Sequence, residues 1–215
     1  MTITMPNQQD WSAFALLLID VQEDFLPEQS VQAFPDFSSN VERLLSFCRM
    51  SDIDILHIRV LFEPDQSDWI VKYVIKGSIP CIRGTTGAEI LPCAQEQPGE
   101  KVVIKHTFDA FHNPEVLTYL RRRNKTFILT AGLVTSVCVF LTTASAAQNG
   151  FLTAIVEDCC ADAPDHHAHT LKQYPFIFER TTVDQLNTSY NQWMTKVEKV
   201  RTHRGPVGSH RKGMP

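Results

Sequence analysis

Residues 13–19 are apolar without interruption and end at Asp20. A strand with one wet face alternates apolar and polar side chains, so an unbroken run predicts a strand covered on both faces. Similar runs at 53–61, 101–104, 126–131 and 151–156 predict four more strands, and 176–178 a short last one. Apolar positions three and four apart mark the helices between them. Val41, Leu44, Leu45 and Cys48 follow Ser38 and Ser39, either of which suits a helix N-cap. Asn113, Pro114 and Glu115 predict a capped helix start with proline at its first position, running to about Arg123. Residues 136–149 read as a helix stopped by Gly150, and 163–173 as the last helix.

Strands alternating with helices predict an α/β fold: a three-layer α/β/α sandwich around a mainly parallel central sheet. Residues 62–99 break the rhythm with Pro64, Gly77, Pro80, Gly84, Gly87, Pro92, Pro98 and Gly99. They predict a loop-rich insertion with one short helix near 69–74, and long loops in compact domains often carry function. The expected domain is 1–195. Residues 196–215 hold Lys196, Lys199, Arg201, Arg204, Arg211 and Lys212 with no aromatics between them. That favours a solvated, flexible tail over a nucleic-acid arm.

Composition narrows the function. The formal net charge of −4 points to neither nucleic acid nor a membrane surface as main partner, so a small-molecule substrate is expected. The N-terminus lacks a basic start and apolar core, and no apolar run is long enough to span a bilayer; a cytoplasmic location is expected. Cys48, Cys81, Cys93, Cys138, Cys159 and Cys160 show no C-x-x-C pairing, which favours free thiols.

In a parallel sheet the active site lies beyond the carboxyl ends of the strands. Asp20 ends the first strand, Lys105 the third, and the fourth leads through GLVTSVC to Cys138 at a helix start. A thiolate is a nucleophile, and a helix N-terminus and a nearby Lys⁺ are expected to lower its pKa. Asp20 suits general base and then acid, with Lys105 compensating its charge. Taken singly, Cys138 reads as a buried core thiol, Asp20 as a loop cap and Lys105 as a solvated lysine. Three such residues at three strand ends weaken that reading.

LLLIDVQEDF, VVIKHTFDAF and TAGLVTSVCV resemble the three signature blocks of the isochorismatase-like cysteine hydrolases. The likeness runs over residues 13–180, with GTTGAEILP at 84–92 and ASAAQNGFLTAIVEDCCAD at 144–162 as further matching segments. It implies Asp20, Lys105 and Cys138 as catalytic triad. It also implies a cis peptide bond at Leu133–Val134, with the N–H groups of Val134 and Cys138 as oxyanion hole. Cysteine-bearing members hydrolyse amide and ureido C–N bonds through a thioester. Isochorismatases cleave a vinyl ether by protonation from the Asp, and HIRVLF at 57–62 looks closer to that branch. Both reactions stay open, as does an inactive binding protein on the same fold. The resemblance implies no cofactor, and a homo-oligomer.

Nicotinamidases of this family carry a metal site with an Asp-x-His element, which HIRVLFEPDQSDW lacks, so no metal is expected. His57 reads as a packed strand residue. Cys159, Cys160, Asp162, Asp165, His166, His167 and His169 look like ligands, but adjacent strand cysteines face opposite ways. A strand-to-helix loop is the better reading, with Asp158 and Asp162 capping backbone groups. Candidate pocket residues are Phe25, Trp69, Phe108 and Phe111 as apolar wall, and Arg83 for a substrate carboxylate.

Overall fold

The computed structural model describes residues 9–204. Six strands form one sheet: β1 (Phe14–Ile19), β2 (Asp54–Val60), β3 (Lys101–Lys105), β4 (Phe127–Leu133), β5 (Leu152–Ala161) and β6 (Glu179–Thr181). Their order is β3-β2-β1-β4-β5-β6, and each neighbouring pair is parallel. Around the sheet lie α1 (Glu28–Ala33), α2 (Phe37–Met50), α3 (Val71–Lys76), α4 (Pro114–Arg122), α5 (Phe140–Gln148), α6 (Pro164–Gln173) and α7 (Leu186–Arg204). This is the α/β/α sandwich that the alternation predicts.

Every residue of β1 and β4 is buried, as their unbroken apolar runs require. Covering one Leu or Ile fully is worth about 1.5–3 kcal/mol, so these two strands anchor the core. They are also where the strand order changes direction: β2 and β3 lie to one side, β5 and β6 to the other. At such a point consecutive connections leave toward opposite sides and open a crevice beyond the strand ends. Gly132 in β4 has φ +120°, and a Cβ there would sit 2.0 Å from the Ile19 carbonyl oxygen. Only glycine lets β4 pass so close to the end of β1.

Several boundaries differ from the pattern. The last strand is Glu179–Thr181, paired with 154–156 of β5, while Phe176 is 81% exposed in a turn. Three apolar residues in a row resembled a strand, but only Phe178 of the aromatic pair is buried. β5 does not stop at Val156. It continues to Ala161 through a register shift, Thr130 facing Ile155 but Gly132 facing Cys160, so Asp158 lies inside the strand. α2 starts at Phe37, and Ser39 in its first turn donates to the Asp36 carbonyl at 2.9 Å instead of capping. The Asn113 cap is as expected, its side chain accepting from Glu115 N at 3.0 Å.

The expected boundary after residue 195 is overturned. α7 runs through it to Arg204, and Leu186, Trp193 and Val197 of that helix are buried in the core. The first part of the supposed tail is therefore helix; residues 205–215 lie outside the described residues. No helix among the described residues is long and apolar enough to cross a membrane.

Candidate active site

Asp20 is the first residue beyond β1, with φ +51°. Its N–H donates to the Ile58 carbonyl at 2.9 Å, which ties it to the end of β2. Lys105 is the last residue of β3 and stands opposite Val60. Because β2 lies between β3 and β1, the lysine side chain crosses the end of β2 to meet Asp20. Nζ lies 2.7 Å from Asp20 Oδ2, and both side chains are buried. The same Nζ donates to the Thr107 carbonyl at 2.8 Å and to Cys138 Sγ at 3.6 Å. The sheet thus brings together three residues that the sequence separates by 85 and 33 positions.

Cys138 arrives on an unusual turn. The Leu133–Val134 peptide is cis. Thr135–Val139 then winds as a π-turn before α5, so the cysteine is not in the first turn of an α-helix as expected. The N–H groups of Val137 and Val139 donate to the Val134 carbonyl at 3.2 and 3.3 Å. Ser136 N–H donates to Asp162 Oδ2 at 2.8 Å, and Asp162 Oδ1 accepts from Ala163 N at 2.7 Å. Among the described residues the N–H groups of Val134 and Cys138 take no part in these bonds. Both residues line the crevice.

The charges form a coupled set. Burial pushes the Asp20 carboxyl above its usual range, and Lys105 offsets part of that. Burial would lower the Lys105 ammonium, but the Asp20 carboxylate beside it outweighs this and raises the lysine above its usual range. Burial pushes the Cys138 thiol up, the Asp20 carboxylate adds to the rise, and Lys105 opposes it. The expected depressed thiol pKa is therefore corrected: in the free protein Cys138 is a neutral thiol beside a carboxylate. We expect Cys138 to be alkylated by iodoacetamide at pH 7 more slowly than free glutathione, with the rate still climbing above pH 9. Peptide-level mass spectrometry over a pH series measures this, and a plateau below pH 8 would overturn the assignment.

Above Cys138 and Lys105 lies a cavity of about 110 Å³. Phe25, Phe62, Ile70, Tyr73, Phe108 and Val137 are among the residues of its wall. Of the expected pocket residues, Phe25 and Phe108 are in place and three are not. Trp69 packs beside Val60 and Phe62, its Nε1 donating to the Glu63 carbonyl at 2.8 Å, and its neighbour Ile70 takes the wall position. Arg83 is exposed and paired with Glu63 at 2.8 Å. Phe111 packs on the main core, 6.3 Å from the Phe151 ring. Ile70 and Tyr73 went unnamed by sequence reasoning, although their i, i+3 spacing at the start of α3 was available as a signal.

Gln22 was also missed. Its buried side chain donates to the Val60 and Ala88 carbonyls at 2.9 and 3.0 Å and accepts from Val60 N at 3.0 Å. It joins the exit of β1, the end of β2 and the insertion. Asp24 Oδ2 accepts from Cys81 N at 2.7 Å nearby, and Gly87 packs so tightly on Asp24 that a Cβ would meet Oδ2 at 2.1 Å. These contacts fix the insertion over the crevice.

The other titratable groups are structural. His57 is buried with Nε2 2.9 Å from Glu100 Oε2. Glu100 also holds Arg49 through two bonds and is held down at about 2. Asp158 accepts from Val183 N, so it and Asp162 both cap backbone groups. His167 Nδ1 lies 2.8 Å from Thr135 Oγ1. Among the described residues no group of three or more His, Cys, Asp or Glu converges to hold a metal ion.

The Isochorismatase domain family model matches residues 14–185. The chain belongs to the isochorismatase family of hydrolases. An Arabidopsis thaliana relative described as a probable inactive nicotinamidase is 30% identical over 170 residues, covering 73% of this chain and 85% of its own. The isochorismatase family protein of Desulfovibrio vulgaris superposes with a TM-score of 0.76 at 25% identity, covering 83% of this chain and 98% of its own. A cysteine hydrolase of Pseudomonas syringae also reaches 0.76, at 20% identity, covering 87% and 99%. The family match spans Asp20, Lys105 and Cys138.

Proposed function

We propose that this isochorismatase-family chain hydrolyses a C–N bond of a small amide or ureido compound through a thioester on Cys138. The observation that carries the reading is one ammonium touching both partners: Lys105 Nζ lies 2.7 Å from Asp20 Oδ2 and 3.6 Å from Cys138 Sγ. A structural thiol has no need of a buried carboxylate and a buried ammonium beside it. An inactive relative is free to lose one of the three; here all are present and in contact, which supports turnover.

The neutral thiol sets the order of events. As Sγ attacks the substrate carbonyl, Asp20 accepts the thiol proton. The N–H groups of Val134 and Cys138 meet the oxygen of the tetrahedral intermediate. Collapse breaks the C–N bond, Asp20 returns its proton to the departing nitrogen, and a thioester remains. Water then attacks the thioester with Asp20 again as base, releasing the acid and restoring the thiol. Lys105 stays protonated throughout and holds the carboxylate in line. Vinyl-ether cleavage would need Asp20 as a proton donor and would leave Cys138 without a role.

A hydroxylamine partition experiment tests this. Incubating the protein with small amides and ureido compounds is expected to release ammonia, and added hydroxylamine to divert part of the product into hydroxamate from an amide, or hydroxyurea from a carbamoyl group. Ammonia without either product would point to direct attack by water. Pyruvate from isochorismate, surviving replacement of Cys138, would sink the thioester reading.

A further inference from the structure

We infer that the acyl part of the substrate is small, apolar and uncharged, and that the cavity over Cys138 excludes acyl groups carrying a carboxylate. This rests on the hydrolase reading for its chemistry, but the argument comes from the wall itself.

Only four lining residues have polar side chains: Tyr73, Lys105, Thr107 and Cys138. An ammonium has three donors. Lys105 is already ion-paired with Asp20 Oδ2 at 2.7 Å, and its Nζ donates to the Thr107 carbonyl at 2.8 Å and to Cys138 Sγ at 3.6 Å. A substrate anion would have to compete with the Asp20 carboxylate for that charge. The Thr107 hydroxyl donates to the Asp109 carbonyl at 2.9 Å. Tyr73 is half-buried, and burial raises its phenol pKa, so it offers the cavity a neutral hydroxyl.

Cations close to this region in the fold are paired or off the wall. Arg83 is held by Glu63, and His106 Nδ1 lies 3.0 Å from Asp68 Oδ2. Lys72 and Lys76 on α3 are exposed and do not line the cavity. A carboxylate placed against Phe25, Phe62, Ile70 and Phe108 would lose its water and gain no counter-charge. An alkyl group there gains burial instead.

Size gives the second limit. A dry apolar cavity of about 150 Å³ accepts benzene. At about 110 Å³, this one suits a short branched alkyl group better than a six-membered ring. Ile70 and Tyr73 close it from the insertion, so Tyr73 sets the largest acyl group that enters.

The test separates binding from turnover. Isovaleramide and malonamate have nearly the same shape and differ in one carboxylate. Ligand-observed NMR with the Cys138→Ser protein, whose hydroxyl keeps an acceptor beside Lys105, is expected to show isovaleramide binding at least about tenfold tighter than malonamate. Equal or tighter binding of malonamate overturns the inference, and so does failure of both to bind. Ammonia release from isovaleramide by the wild type is read separately: binding without release would sink the hydrolase reading and leave the pocket assignment standing. Tyr73→Ala is expected to shift the preference toward cyclohexanecarboxamide; an unchanged ratio in a folded variant would remove Tyr73 as the size limit.

Discussion

Cys138→Ala is expected to cut ammonia release by about 10⁴- to 10⁶-fold, because the nucleophile of a covalent mechanism has no substitute on the wall. What remains in the variant is the pair of N–H donors and Asp20, enough for weak water attack. Cys138→Ser is expected to lose nearly as much. A hydroxyl is far less acidic than a thiol, and among the described residues Asp20 is the base that acts on this position. Neither change should unfold the chain. The cysteine is small and buried, and its Sγ lies 3.6 Å from Lys105 Nζ, a long contact, so truncation is expected to cost about 1–2 kcal/mol. Steady-state ammonia assays alongside thermal melts measure both effects. A folded Ala variant keeping more than about a hundredth of the activity would remove Cys138 as nucleophile.

The fold was legible where one physical rule decided the outcome. β1 and β4 are buried on both faces, so their apolar runs left no alternative to central strands. Asn113–Pro114 and Gly150 ended or began helices through local backbone chemistry alone. The failures came where tertiary contact outweighed the local pattern. α7 has a helical stripe at Leu186, Tyr190, Trp193, Met194 and Val197, but its polar content hid it beside a basic, glycine-containing tail. β5 runs past Val156 because the register shift opposite Ala131 draws Asp158 and both cysteines into the sheet.

The site divides in the same way. Asp20, Lys105 and Cys138 sit at strand ends, and the topology of a parallel sheet places such positions together before any side chain is considered. The wall depends on the path of residues 62–99, of which periodicity marks only the short helix near 69–74. That path is set by long-range bonds: Gln22 to Val60 and Ala88, and Asp24 to Cys81. Trp69 and Ile70 are adjacent in sequence, yet only Ile70 reaches the cavity. The thiol pKa was misjudged for a related reason. Helix terminus and lysine were visible in sequence; burial and the nearness of the Asp20 charge were not, and they win.

Lys105→Met is expected to destabilise the fold by about 3–5 kcal/mol at pH 8, since it leaves Asp20 as a buried charge without its partner. Methionine fills similar space, so the loss measures charge more than volume. The pH dependence follows from the raised Asp20 pKa. A carboxyl with a folded pKa above its unfolded value binds its proton more tightly when folded. Its penalty is full above the folded pKa and fades as pH falls toward the unfolded value, about 4. Without Lys105 the folded pKa rises further, so the deficit against wild type should narrow steadily between pH 8 and pH 5. Urea melts at the two pH values give it directly. Asp20→Asn combined with Lys105→Met replaces both charges by neutral groups of similar size, and is expected to recover most of the loss. A deficit independent of pH, with a double variant no more stable than the single one, would mean that Lys105 supports the fold by packing and not by neutralising Asp20.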